Sequence, residues 1–107
     1  MAVVEPLRAY DARHGPALGL FAESSYPTCR CPLSAGDLLV LFTDGVYEMH
    51  GPAEEEFGLD RLVAAFRQRN KMPPAQMLDE ILAEVQAFSR QKDFEDDICL
   101  VTVERAR

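Results

Sequence analysis

The chain has 107 residues, 48% of them hydrophobic, which is the size and apolar content of one globular domain or part of one and excludes a disordered chain. Its formal net charge is −7, and no run of Lys or Arg could follow a phosphate backbone, so nucleic-acid binding is excluded as a main activity. No apolar stretch approaches the roughly 20 residues of a membrane span and the amino terminus lacks a signal-peptide pattern, so a cytoplasmic protein with no membrane partner is expected.

Residues 2–10 read as an edge strand interrupted by Pro6. A loop of small residues follows, with His14 as a solvated loop residue, and then a second extended segment near residues 26–33. That segment carries Cys29 and Cys31, which with Cys99 make an odd, sparse count expected to stay reduced. No His or Cys pair completes a four-ligand zinc site around them, and they read as two side chains on one face of a strand.

Ser34-Ala35-Gly36-Asp37 is turn chemistry leading into Leu38-Leu39-Val40-Leu41-Phe42, an apolar run too short for a helix and lacking alternation, expected as a strand buried on both faces. It ends abruptly in Thr43-Asp44-Gly45, which holds a carboxylate at the end of a rigid core strand. After a loop around His50-Gly51-Pro52, Glu54, Glu55 and Glu56 precede a helix whose apolar face is Leu59, Leu62, Val63 and Phe66. Gly58 marks its start, and the three glutamates read as a solvated, helix-starting cluster and not as ligands.

Pro73-Pro74 opens a second helix with Leu78, Ile81, Leu82, Val85 and Phe88 on one face, and the methionines nearby read as packing residues. Asp93-Phe94-Glu95-Asp96-Asp97 then gives way to Ile98–Val103, a strand rich in β-branched residues with no charge inside it.

Asp44 follows the first apolar strand, while Asp96 and Asp97 precede the last one. If the two strands pair antiparallel, those ends meet, because adjacent backbones lie about 5 Å apart. Carboxylate oxygens without His or Cys favour a hard cation such as Mg²⁺ or Mn²⁺, which suits phosphate-ester hydrolysis. Acids flanking strands are also common as solubility and turn residues, so spacing alone leaves both readings open.

LSAGDLLVLFTDGVYE, EEEFGLDRL, the second helix and EDDICLVTV, taken in order from about Gly15 to Val103, resemble the carboxy-terminal half of the SpoIIE-like branch of the protein phosphatase 2C (PPM) family. The resemblance implies an α+β fold, an antiparallel sheet with two helices packed on it, as part of an αββα sandwich around a binuclear Mg²⁺ or Mn²⁺ centre. It implies hydrolysis of phosphoserine or phosphothreonine on a regulatory protein by metal-activated water, with an anti-sigma-factor antagonist as the type of substrate found in this branch. By position, Asp44 and Asp96 match metal-binding residues, Asp97 is a support residue or weak ligand, and Gly45 permits the turn beside the metal. Gly36, Phe57 and Gly58 match structural positions, and Cys99 stands where relatives often have Thr, as a packing change.

The departures matter as much. The family's other Asp-Gly element and its Gly-His-Gly segment have no counterpart, so residues 1–107 are expected to form a single partial phosphatase domain lacking its amino-terminal half, with at most one weak cation site and little or no activity alone. Two alternatives stand beside this reading. One is a non-catalytic interaction or dimerisation module that self-associates through an exposed sheet, and the other is a simple acidic cation-binding domain.

Overall fold

A hydrogen-bonded turn launches the first strand. The Asp37 N–H donates to Ser34 O at 2.9 Å, the Ser34 N–H donates to Asp37 Oδ2 at 2.9 Å, and Gly36 takes φ +87°, a conformation glycine reaches without a side-chain clash. The computed structural model describes residues 3–7, 17–26 and 28–107. Their elements, in order, are β1 (Leu38–Phe42), a 3₁₀ turn (Asp44–Val46), α1 (Leu59–Gln68), α2 (Pro74–Ser89) and β2 (Leu100–Glu104).

β1 and β2 pair antiparallel, with Leu38 opposite Glu104 and Phe42 opposite Leu100. The pairing extends past one end, where the Arg105 N–H donates to Asp37 O at 3.0 Å and the Gly36 N–H to Arg105 O at 2.8 Å. Two helices and an antiparallel sheet make the α+β arrangement expected from the sequence, consistent with part of a PPM-type sandwich.

Among the described residues, one face of the ladder is covered and the other is not. Leu38, Val40 and Leu100 pack against the core of Val46, Met49, Leu62, Phe66, Met77, Ile81 and Val85. The opposite face pairs Leu39 with Val103 and Leu41 with Val101, and Leu41, Val101 and Val103 remain 53%, 44% and 45% exposed. The expectation that β1 is buried on both faces is therefore corrected. Its unbroken apolar sequence suits a two-sided strand, but both described helices pack on one side.

α1 begins at Gly58, whose φ of +85° and N–H bond to Tyr47 O at 2.8 Å turn the chain into the helix. Leu62, Ala65 and Phe66 are buried, whereas Leu59, expected on the apolar face, is 44% exposed in the first turn. α2 starts with Pro74 at its first position, where the missing N–H costs nothing, and buries Met77, Ile81, Val85 and Ser89. Burying each large apolar side chain contributes about 1.5–3 kcal/mol. The methionines near α2 are packing residues as expected, with Met77 at 3% exposure and Met72 partly buried against the core. The Arg69 guanidinium joins the helices, donating from Nη2 to Glu84 Oε1 at 2.8 Å and from Nη1 to Ala65 O at 3.1 Å.

Two strand expectations fail among the described residues. Residues 3–7 and 28–33 run without ladder pairing, in keeping with Pro6 and Pro32, which have no N–H to donate. Cys29 and Cys31 therefore do not share a strand face. Residues 2, 8–10, 27 and His14 lie outside the described residues. Cys99, expected as a packing change, has an exposed side chain.

Candidate metal centre

The ladder runs one residue beyond β1 and β2 at the end where the acids lie. The Thr43 N–H donates to Cys99 O at 3.1 Å, and the Cys99 N–H returns a bond to Thr43 Oγ1 at 2.9 Å. This register brings the segment of Asp44 beside that of Asp96 and Asp97. Immediately past Thr43 the chain leaves the ladder as a 3₁₀ turn, in which the Tyr47 and Glu48 N–H groups donate to Asp44 O at 3.1 and 2.9 Å.

Gly45 sits at the closest approach of the two segments. A Cβ there would lie 2.4 Å from the Asp97 carbonyl oxygen and 3.3 Å from Ile98 Cγ2. Gly45 is not among the residues with positive φ, so glycine is required for space and not for a left-handed turn. The Asp97 backbone makes this contact, while its residue is exposed. Asp96, also exposed, accepts the Asp97 N–H on Oδ1 at 2.8 Å.

A hairpin forms the opposite wall. The Phe57 N–H donates to Met49 O at 2.8 Å, the Gly51 N–H to Glu55 O at 2.7 Å, and His50 and Glu56 form a bridge between them. Phe57 anchors this hairpin to α2 through an edge-on contact with Phe88, ring centres 5.4 Å apart. The result is an open cleft of about 280 Å³ lined by Gly45, Glu48, His50, Glu56, Glu95 and Asp96.

Charge in the cleft is almost wholly negative. Partial loss of water, then repulsion from Asp44, Glu56 and Asp96, raises the Glu48 carboxyl above the usual carboxylate range. Tyr47 is raised too, first by burial and then by Glu48, Asp44 and Glu56. The exception is His50, whose ring Nδ1 lies 2.9 Å from Glu95 Oε2; that hydrogen bond raises the His50 pKa and lowers that of Glu95.

Of the residues named from the strand ends, Gly45 and Asp96 line the cleft, whereas Asp44 and Asp97 are not among its lining residues, although the structure brings the two segments together. Sequence reasoning missed Glu48, His50, Glu56 and Glu95. Glu54, Glu55 and Glu56, expected as a helix-starting cluster, belong instead to the hairpin, and the acid in the first turn of α1 is Asp60. Gly51-Pro52 was the available signal, since it marks a reversal that folds Glu56 back across His50.

Hard carboxylate donors with no Lys or Arg among the lining residues match the chemistry of Mg²⁺ or Mn²⁺. Among the described residues no group of three His, Cys, Asp or Glu side chains is placed to hold a metal ion. A cation there would take one or two carboxylates at most, with water completing its shell, as is common for Mg²⁺.

The Stage II sporulation protein E (SpoIIE) family profile matches residues 5–106. The chain belongs to the SpoIIE family. Protein IcfG of Synechocystis sp. (strain ATCC 27184 / PCC 6803 / Kazusa) is 30% identical to it over 91 residues, which cover 85% of this chain. The chain spans only 14% of the length of that relative. No solved structure matches this SpoIIE-family chain. Family membership supports a phosphatase-type domain over a purely non-catalytic interaction module. No helix among the described residues is long and apolar enough to cross a membrane.

Proposed function

We propose that this chain forms part of a metal-dependent protein serine/threonine phosphatase, in which Asp44 and Asp96 hold Mg²⁺ or Mn²⁺ and Asp97 and Gly45 support them. The observation that supports this reading is the ladder register, which brings the segment of Asp44 beside an acidic cleft lined by Gly45 and Asp96. A cation bound there would acidify water and offset negative charge on the phosphoryl group. The chain's own contribution is positional. The ladder fixes the Asp44 segment, and the close Gly45–Asp97 contact fixes the Asp96 segment beside it.

The substrate in this reading is a phosphoserine or phosphothreonine on a regulatory protein of the cytoplasm, of the anti-sigma-factor-antagonist type. These 107 residues alone carry one weak cation site and little hydrolytic activity. The open face bearing Leu41, Val101 and Val103 favours self-association through the sheet. A monodisperse monomer by light scattering, with no apolar-dye binding, counts against that association.

Titration with Mn²⁺, followed by calorimetry and by electron paramagnetic resonance, tests the metal centre. Asp44→Asn and Asp96→Asn should each weaken binding at least ten-fold with the fold intact by circular dichroism. Equal binding by both variants and the unaltered chain sinks the assignment.

A further inference from the structure

Asp96 lies in an exposed segment with neither helix nor ladder bonds of its own, yet a carboxylate that contributes to a cation site must be held in place. Its neighbour Glu95 is tied across 45 residues of sequence to the hairpin wall. Glu95 Oε1 accepts the His50 backbone N–H at 3.2 Å, Oε2 lies 2.9 Å from His50 Nδ1, and the Glu95 N–H points to Met49 Sδ at 3.4 Å. Met49 is fully buried in the core, so these contacts moor the residue before Asp96 to a fixed point. On its other side Asp97 rests against Gly45.

We infer that Glu95 and His50 form a clasp that positions Asp96 for cation binding, Glu95 acting through its neighbour and not as a ligand itself. This inference rests on the metal-centre reading above. It assigns the His50–Glu95 pair a purpose beyond a surface ion pair, which by itself contributes little to stability. Partners that orient a ligand without touching the metal commonly change affinity by 10–100-fold when removed.

The full 107-residue chain is compared with Glu95→Ala, Glu95→Gln and Glu84→Ala. Both Glu95 variants remove one negative charge, so the difference between them reports positioning and not electrostatics. A glutamine oxygen can still accept the His50 N–H. Glu84→Ala breaks the Arg69 pair between the helices and serves as the structural control.

Two quantities are read: amide hydrogen exchange at residues 96–98 without metal, and the Mn²⁺ dissociation constant. The clasp predicts that Glu95→Ala speeds exchange at residues 96–98 and weakens Mn²⁺ binding about ten-fold or more. Glu95→Gln should give a clearly smaller loss, and Glu84→Ala should change neither quantity. Unchanged exchange in Glu95→Ala overturns the proposal. So does faster exchange with unaltered Mn²⁺ affinity, an equal affinity loss in both Glu95 variants, or the same loss in Glu84→Ala. If the unaltered chain shows no Asp44-dependent Mn²⁺ binding, the metal-centre reading fails and the clasp's role in cation binding falls with it, whereas Asp44-dependent binding that Glu95→Ala leaves unaltered overturns the clasp alone.

Discussion

Replacing Gly45 by alanine would put a methyl group 2.4 Å from the Asp97 carbonyl oxygen, where ordinary contact begins at 3.4 Å. Relief requires one backbone segment to retreat by about 1 Å, since a carbonyl oxygen cannot rotate away as a side chain can. The comparison with Gly51 is instructive, because an added Cβ there first meets Glu55 Oε1 at 2.6 Å, the end of a flexible side chain. Overpacking of this kind costs about 1–3 kcal/mol. For a domain of this size that corresponds to a fall in melting temperature of roughly 5–20 °C.

Thermal and urea denaturation followed by circular dichroism measure the loss. The displaced segment carries Asp96, so Mn²⁺ affinity should fall in the same variant. A Gly45→Ala protein within about 0.5 kcal/mol of the unaltered chain would rule out the clash, since that is the range of an ordinary surface substitution. It would mean that the two strand ends are not closed against each other.

Other substitutions read the core, the ion pair and the acid cluster. Ile81 is fully buried, so Ile81→Val should cost about 0.5–1.5 kcal/mol and Ile81→Ala about 2–5 kcal/mol in urea denaturation, whereas Leu41→Ser on the open sheet face should stay within about 0.5 kcal/mol. Glu95 raises the His50 pKa, so the histidine's contribution to stability is present below about 6.5 and is lost as pH rises through the raised value. His50 lowers the Glu95 pKa, so the glutamate's contribution is present above about 4.3 and is lost as pH falls through the lowered value. The pair is therefore strongest between those limits. Nuclear magnetic resonance titration should find the His50 pKa lower in Glu95→Gln, and no change would remove the pair as its cause. Repulsion from Asp44, Glu56 and Asp96 helps to raise Glu48, so a cation in the cleft should release protons at mildly acid pH. Calorimetry in two buffers of different ionisation enthalpy measures that release, and Glu48→Gln should diminish it.

The local elements were legible because they depend on signals a few residues long. Leu38–Phe42 matches the strand read from the apolar run, and Pro73-Pro74 marks the start of α2 as the missing proline N–H requires. The ends of β2 were less so. The apolar run suggested 98–103, and the observed strand is Leu100–Glu104, because pairing with β1 decides where a strand stops. The extended look of residues 28–33 likewise carried no information about a partner strand.

Asp44 and Asp96 stood out as candidates because each carboxylate interrupts or precedes an apolar strand, a change of character that one chain segment displays by itself. The family likeness rests on the same ordered motifs. The cleft that Asp96 and Gly45 line was not visible. His50 and Glu95 are 45 residues apart, and no periodicity connects them. Glu56 joins the same cleft only because the hairpin from Tyr47 to Gly58 folds it back, a reversal that local charge counting mistook for a helix start. Local sequence was enough for β1, the two helices with their apolar faces and the acids at the strand ends, since local sterics and burial preference act through near neighbours. Tertiary structure alone decided which sheet face stays open, why Gly45 must lack a side chain and which residues hold Asp96 in place, because these depend on contacts between segments far apart in the chain.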